Sequence, residues 1–285
     1  MRDRALRRAL PAVVLAFMAV ASAGCRADAQ QLRSMTSARQ LQGERRVEVN
    51  MEYAAGELAV RPLDGGLLYR MDLHYDQRFT PVASYDRASG RLRLGVEGNR
   101  RGRDRGVDHQ RADIALTREV PLALSLEFGA GEAEVELGGM SLETVDISTG
   151  ASETRVSFSE PNRIAARAVH LEAGAAEVRV ERLGNARAER FSFEGGVGEA
   201  TLDFSGAWTR GATASIQMGV GSLRLRLPRG IGVRIEKDSF LASFDAPGMV
   251  KRGGAWYSRN YEGAAIHLDI SIDAALGSID IDWVD

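Results

Sequence analysis

Leu124-Ser-Leu-Glu-Phe-Gly129-Ala-Gly-Glu-Ala-Glu-Val-Glu-Leu137 carries two alternating apolar runs with a short break of small residues between them. Apolar side chains at every second position mark a strand that buries one face. The pattern returns in Val145-Asp-Ile-Ser-Thr-Gly150-Ala-Ser-Glu-Thr-Arg-Val-Ser-Phe158 and in Val169-His-Leu-Glu-Ala-Gly174-Ala-Ala-Glu-Val-Arg-Val180. It returns twice more, in Phe191-Ser-Phe-Glu-Gly-Gly196-Val-Gly-Glu-Ala-Thr-Leu-Asp-Phe204 and Ala214-Ser-Ile-Gln-Met-Gly219-Val-Gly-Ser-Leu-Arg-Leu225. The breaks at Gly129, Gly150, Gly174, Gly196 and Gly219 recur every 21 to 24 residues. Variants open the series at Val49 to Val60 and close it at Ile270 to Trp283.

Each unit reads as strand, tight corner, strand. Glycine belongs at such a corner where φ is positive or where neighbouring backbones stack closely. One unit cannot bury its apolar face alone, but stacked copies share a continuous core. The period suits one coil of a β-solenoid. The competing arrangement is an antiparallel meander with each corner a hairpin tip. The near-constant unit length and the single register of the corners favour the solenoid. The expected fold is therefore all-β, a β-helix-like stack over residues 45–285. Regular repeats fill 121–285, and 45–120 is a possible N-terminal subdomain.

Two stretches interrupt the stack. Leu67 to Asp113 holds hairpin-like strands, Tyr69 to Tyr75 and Arg91 to Val96, with a turn at Ser89-Gly90. Its loop, Gly98 to Asp108, carries Arg100, Arg101, Arg103 and Arg105. Lys237 to Gly263 holds Pro247-Gly248, Gly253-Gly254 and the aromatic group Trp256, Tyr257 and Tyr261. Long irregular insertions are where function concentrates. These two are therefore the candidate binding surfaces.

The N-terminus reads as an address. Arg2, Arg4, Arg7 and Arg8 precede an apolar run, Leu10 to Ala21, that is shorter than the roughly 18 residues of a spanning helix. Ala21-Ser22-Ala23 fits ordinary signal-peptide cleavage. Ser22-Ala23-Gly24-Cys25 resembles a bacterial lipobox, with the only cysteine of the chain as its acylation site. The favoured reading is a cleaved lipoprotein signal over residues 1–24. A polar tether or short helix (Leu32 to Leu41) follows over 25–44. The expected location is the bacterial cell envelope, on the periplasmic side, with the lipid on Cys25 as membrane contact.

The chain has 285 residues, 37 Lys+Arg, 39 Asp+Glu and a formal net charge of -2. Without residues 1–24 there are 33 basic and 38 acidic side chains, a net of -5. That balance argues against a nucleic-acid partner. One Cys and four His exclude a disulfide scaffold and a Cys-built zinc site.

The repeated Gly-x-Gly-[Ser/Glu] corners, the Leu225-Arg-Leu-Pro228 strand end and Trp256-Tyr-Ser-Arg-Asn-Tyr261 before the last alternating run resemble the toast-rack family. That family is related to the C-terminal domain of LiaF-type cell-envelope stress proteins and to β-rich proteins regarded as adhesins. The resemblance is clearest over about 120 to 285 and extends from about 45. It implies an all-β envelope domain and brings no active-site residues with it.

Other clusters have plain explanations. Asp72, His74 and Asp76 alternate on one strand face, which could hold a divalent metal but suits a solvated face better. His267, Asp269, Ser271 and Asp273, with Asp280 and Asp282, make an acidic outer face rather than a calcium site. They would guard the terminal coil against edge pairing. Glu57, Glu132, Glu153, Glu177 and Glu199 recur at one place in every unit, so they mark a structural position, not an acid-base pair. No nucleophile elbow, phosphate loop or dinucleotide fingerprint is present. The expectation is a non-enzymatic, lipid-anchored binding or scaffolding module without a cofactor, its partner an envelope protein or polymer. The alternatives are an envelope-stress accessory bound to a membrane protein, and a glycan hydrolase on a β-helix.

Overall fold

The computed structural model describes residues 32–97 and 110–285. Fifteen strands form one sheet. In chain order they are β1 (Leu32–Gln40), β2 (Val47–Leu63), β3 (Leu67–Asp76), β4 (Thr80–Asp86), β5 (Arg91–Glu97), β6 (Arg111–Thr117), β7 (Leu122–Glu136) and β8 (Leu142–Ser157). Then come β9 (Ala166–Glu181), β10 (Ala188–Asp203), β11 (Ala212–Pro228), β12 (Gly232–Asp245), β13 (Met249–Arg252), β14 (Ala255–Ser258) and β15 (His267–Val284). Eight long strands stack in parallel as rungs, in the order β2, β7, β8, β9, β10, β11, β15, β12. A parallel stack joined by crossovers is a solenoid, and it excludes the meander. Among the described residues no helix is long and apolar enough to cross a membrane.

Each rung is a single strand that bends in the middle. In β7 the buried positions are Leu122, Leu124, Leu126 and Phe128, then Ala133 and Val135. The interval across the bend is five residues, so the inward parity flips. The same five-residue step separates Tyr53 from Leu58, Ala173 from Val178, Met218 from Leu223 and Ala274 from Ile279. In an unbent strand such a flip would send half the apolar residues to solvent. Here the bend turns the second arm, so both arms face the same interior. One continuous core results, running from Val47 to Ile281. Burying each fully enclosed Leu or Val contributes on the order of 1.5–3 kcal/mol.

The five predicted glycines stand at the bend in one column, and the pairing ladder skips them. None of the five has positive φ. Their role is close approach: a Cβ at Gly196 would lie 2.6 Å from the Gly174 carbonyl oxygen, and one at Gly174 lies 3.0 Å from that of Gly150. Gly129, Gly150 and Gly219 meet the preceding rung more tightly still. Positive φ falls two residues later, at Gly131 (+115°) and Gly221 (+144°) among others. The unit is thus one bent strand, where the sequence suggests two strands and a turn.

Turns between rungs are stitched by buried asparagines. Asn162 accepts from the Leu142 N–H at 2.8 Å and donates to the Leu142 carbonyl at 2.8 Å. Asn185 donates to the Phe158 carbonyl and accepts from the Ala207 N–H, both at 2.8 Å. Glu136 holds another turn. Burial pushes its carboxyl up, yet hydrogen bonds from Ser157, the Gly138 and Ser159 N–H groups and the Ser159 hydroxyl outweigh this and hold it below the usual range.

Several expectations change. Residues 32–40 form neither tether nor helix; β1 is a strand, held antiparallel to β3 from Leu32–Asp76 to Gln40–Leu67. Pairing to a ready edge outweighs the weak local preference of this polar segment. Residues 45–120 are no separate subdomain, since β2 is itself the first rung and shares the core. The start of the second predicted interruption, 237–245, belongs to a rung, β12. The closing repeat, β15, is not terminal: it inserts between β11 and β12. Its acids therefore guard no free edge.

Candidate binding surface

Cys25, Arg100, Arg101 and Arg103 lie outside the described residues. The surfaces open to description are the bend ridge, the outward rows and the C-terminal cap.

The cap is the hairpin β13–β14. β14 adds antiparallel to the start of β12, pairing Arg234–Tyr257, Ile235–Trp256 and Glu236–Ala255. The Ser258 hydroxyl accepts from the buried Val233 N–H at 2.9 Å. Neighbours on a strand point to opposite faces, so Trp256 and Tyr257 part company. Trp256 turns inward with Ile235 and packs on Phe244, 5.2 Å between ring centroids. The Lys251 ammonium lies 5.6 Å from the indole. Tyr257 turns outward, edge-on to Tyr261 at 5.0 Å, and Tyr261 meets the His267 ring at 4.7 Å. Arg234 donates to the Tyr257 hydroxyl at 3.2 Å, and the Tyr261 hydroxyl donates to Asp269 at 3.3 Å. Burial, followed by the Asp269 charge, pushes the Tyr261 phenol above its ordinary range. The three aromatics are therefore not one platform. Trp256 closes the end of the core, while Tyr257 and Tyr261 form a polar-rimmed patch on the outer face.

The repeated glutamates stand in one outward row, Glu57, Glu132, Glu153, Glu177 and Glu199, each in register with the next. The row continues as Ser222, Ser278 and Ser243. Arg111 reaches Glu57 at 3.4 Å and Arg179 reaches Glu177 at 3.3 Å. A straight row on an open face does not converge on a reacting atom as an acid-base pair must. Beside it runs a second column, Ala55, Ala130, Ala151, Ala175, Val197, Val220, Leu276 and Leu241. Alanine accompanies glutamate in the first four rungs, Val197 accompanies Glu199 in the fifth, and Val220, Leu276 and Leu241 accompany serine in the last three. Sequence repeats exposed the glutamates; the graded column needed the register to become visible.

Asp72 and His74 are engaged with β1. Asp72 accepts from Thr36 at 2.6 Å and from Arg70 at 2.9 Å, which holds its carboxyl below the usual range. His74 hydrogen-bonds Ser34 at 3.0 Å. Asp76 is buried and takes three hydrogen bonds from Arg78, which depress its pKa. Among the described residues no three His, Cys, Asp or Glu side chains are grouped as metal ligands.

A family model described as the N-terminal domain of toast_rack, DUF2154, matches residues 28–181 and again 168–226. The match starts earlier than the sequence resemblance and stops before the aromatic cap. Among solved structures, a candidate cell adhesion protein from Clostridium sporogenes superposes with a TM-score of 0.51 at 16% identity, over 89% of this chain and 100% of that one. A candidate adhesin from Bacteroides fragilis gives 0.41 at 11% identity, over 87% and 97%. A candidate lipid binding protein from Parabacteroides distasonis gives 0.30 at 11%, over 88% and 97%. Only the first is close enough to speak for the fold, and it speaks for nothing else. No curated protein matches the chain. With the family model covering well over half of the sequence, the chain belongs to the toast-rack family.

Proposed function

We propose that this protein is an exported, non-enzymatic module of the bacterial cell envelope, anchored by lipid on Cys25, that binds or scaffolds an envelope protein or polymer. The observation that carries the reading is the architecture. Eight rungs form a rod whose polar groups stand outward in open rows. Catalysis asks for groups that converge in a cleft where their pKa values are set apart. A rod with rows and a rimmed end offers area for binding instead. The fold shared with a candidate cell adhesion protein is in keeping with that role. Removal of residues 1–24 would leave Cys25 first, and several acyl chains there would hold the rod at a membrane surface.

Mass spectrometry of the mature N-terminus tests the anchor. The expected species begins at an acylated Cys25; a chain that begins at Gly24, or beyond Cys25, overturns it. The binding role is tested by recovery from envelope extract. A reproducible partner is expected, lost on deletion of 98–108 or 253–263. Turnover in a glycan-cleavage screen, abolished by one carboxylate substitution, would overturn the non-enzymatic reading.

A further inference from the structure

The last rung has an open edge. β12 pairs with β15 on one side along its whole length. On the other side β14 covers only Arg234–Glu236. Among the described residues no strand pairs with 237–245 on that side. An uncovered edge presents a row of backbone N–H and C=O groups that seek an extended partner. On this same segment Phe240 is 84% exposed and Leu241 63% exposed. Phe240 occupies the column that holds glycine in five other rungs. Among the described residues no further rung stacks beyond this ring.

Three occupants are conceivable, and two fit poorly. A lipid surface would bury unpaired backbone groups in hydrocarbon, at several kcal/mol each. A second copy of the edge would set acids beside acids. Asp238 is in register with Asp273, and Asp245 with Asp280, so the outward face of the last two rungs carries two like-charged pairs. One row runs Arg224, Asp280, Asp245 and then stops at the edge. A cation in the next position would complete it, since opposite charges on adjacent strands are favourable and like charges are not.

We propose that the 237–245 edge of β12 is a strand-addition site for an extended partner segment. That segment carries Lys or Arg at two positions seven apart, set against Asp238 and Asp245 as Asp273 and Asp280 are on the other side, with an apolar residue against Leu241. Backbone hydrogen bonds supply affinity, and the alternate side chains supply selectivity. This deepens the binding reading and rests on it. It lies outside the anchor and outside 98–108 and 253–263, although β14 in the latter borders the edge; the peptide test uses the undeleted protein, so its failure leaves those tests untouched.

The experiment uses the purified mature protein and three ten-residue synthetic peptides. One has Lys at positions 2 and 9 with Val and Thr between them, one has Glu at those two positions, and one is the Lys peptide N-methylated at every residue. Free protein is expected to be monomeric, with fast exchange at those amides of 238–245 that point away from β15. The Lys peptide should bind and slow that exchange by about tenfold or more. The Glu peptide should bind at least about tenfold more weakly. The N-methylated peptide, unable to complete the ladder, should do neither. In the D238K/D245K variant the preference between the Lys and Glu peptides should reverse. Equal binding of the N-methylated peptide, or binding without protection of 238–245, overturns the proposal. So does failure of the Lys peptide to bind. A dimeric free protein whose 238–245 amides are already protected assigns the edge to a second copy and overturns it as well.

Discussion

The two ends of the stack are finished differently. At the first rung both arms of β2 are covered: β5 pairs Glu48–Tyr53 and β6 pairs Glu57–Leu63. Antiparallel β1 and β3 extend that closure beyond β6, and β4 backs β5. At the last rung β12 is covered over three residues only. Interior rungs template one another, so a change there is felt on both sides. A rung at an end is felt on one side, and the ends show what must be added when a neighbour is missing. The first end adds enough strand to complete the rung, and the second adds a hairpin and one indole.

The comparison can be broken by substitutions that ought to behave oppositely in the middle and at the open end. Leu225→Ala, in a fully buried position of β11, should cost about 2–5 kcal/mol in denaturant unfolding. Leu241→Ala at the open edge should change stability by no more than about 0.5 kcal/mol. If the two losses matched, the last rung would be as enclosed as the interior.

Gly196→Val should cost about 1–3 kcal/mol, because the added carbons meet the Gly174 carbonyl. Phe240→Ala removes a larger group from the same column yet should leave the midpoint almost unmoved. Asn162→Ala should cost about 1–3 kcal/mol by leaving the buried Leu142 N–H and carbonyl without their partner.

A smaller effect separates the first end from the interior by pH. Hydrogen bonds from Arg78 to Asp76, from Thr36 and Arg70 to Asp72, and from Arg91 to Glu48 hold these carboxyls below their unfolded values. Their contribution is complete above the unfolded range near pH 4 and is lost as pH falls through the depressed folded values. Amide exchange recorded at pH 7, 4 and 3 should therefore show β1 and β3 loosening before β9 and β10. Loosening of β9 and β10 first would break this ordering.

Much of this fold is legible in the residues because the repeat forces it. The glycine column, the alternating runs and the glutamate row all recur at one register. What escapes is set by partners distant in the chain. β12 hides because Phe240 fills the glycine position and Lys237 an inward one, so the repeat pattern breaks there. β1 hides because Leu32–Gln40 is polar and becomes a strand through Thr36–Asp72, Ser34–His74 and its ladder to β3. The place of β15 between β11 and β12 is a matter of return path, which local pattern does not encode. At the cap, Trp256, Tyr257 and Tyr261 are adjacent in sequence but are divided between two faces by strand geometry.

The glutamate row also behaves as a line of charge. Successive rungs lie about 4.8 Å apart. Neighbouring carboxylates at that spacing repel by roughly 0.9 kcal/mol in water. At physiological ionic strength the screening length is about 8 Å, so dissolved cations offset part of this repulsion. Mobile counterions therefore collect along the five glutamate positions from Glu57 to Glu199, and the three serine positions of the row, Ser222, Ser278 and Ser243, add no charge to it. The ionic strength of the surroundings thus tunes the repulsion along the glutamate row and leaves its serine stretch unchanged.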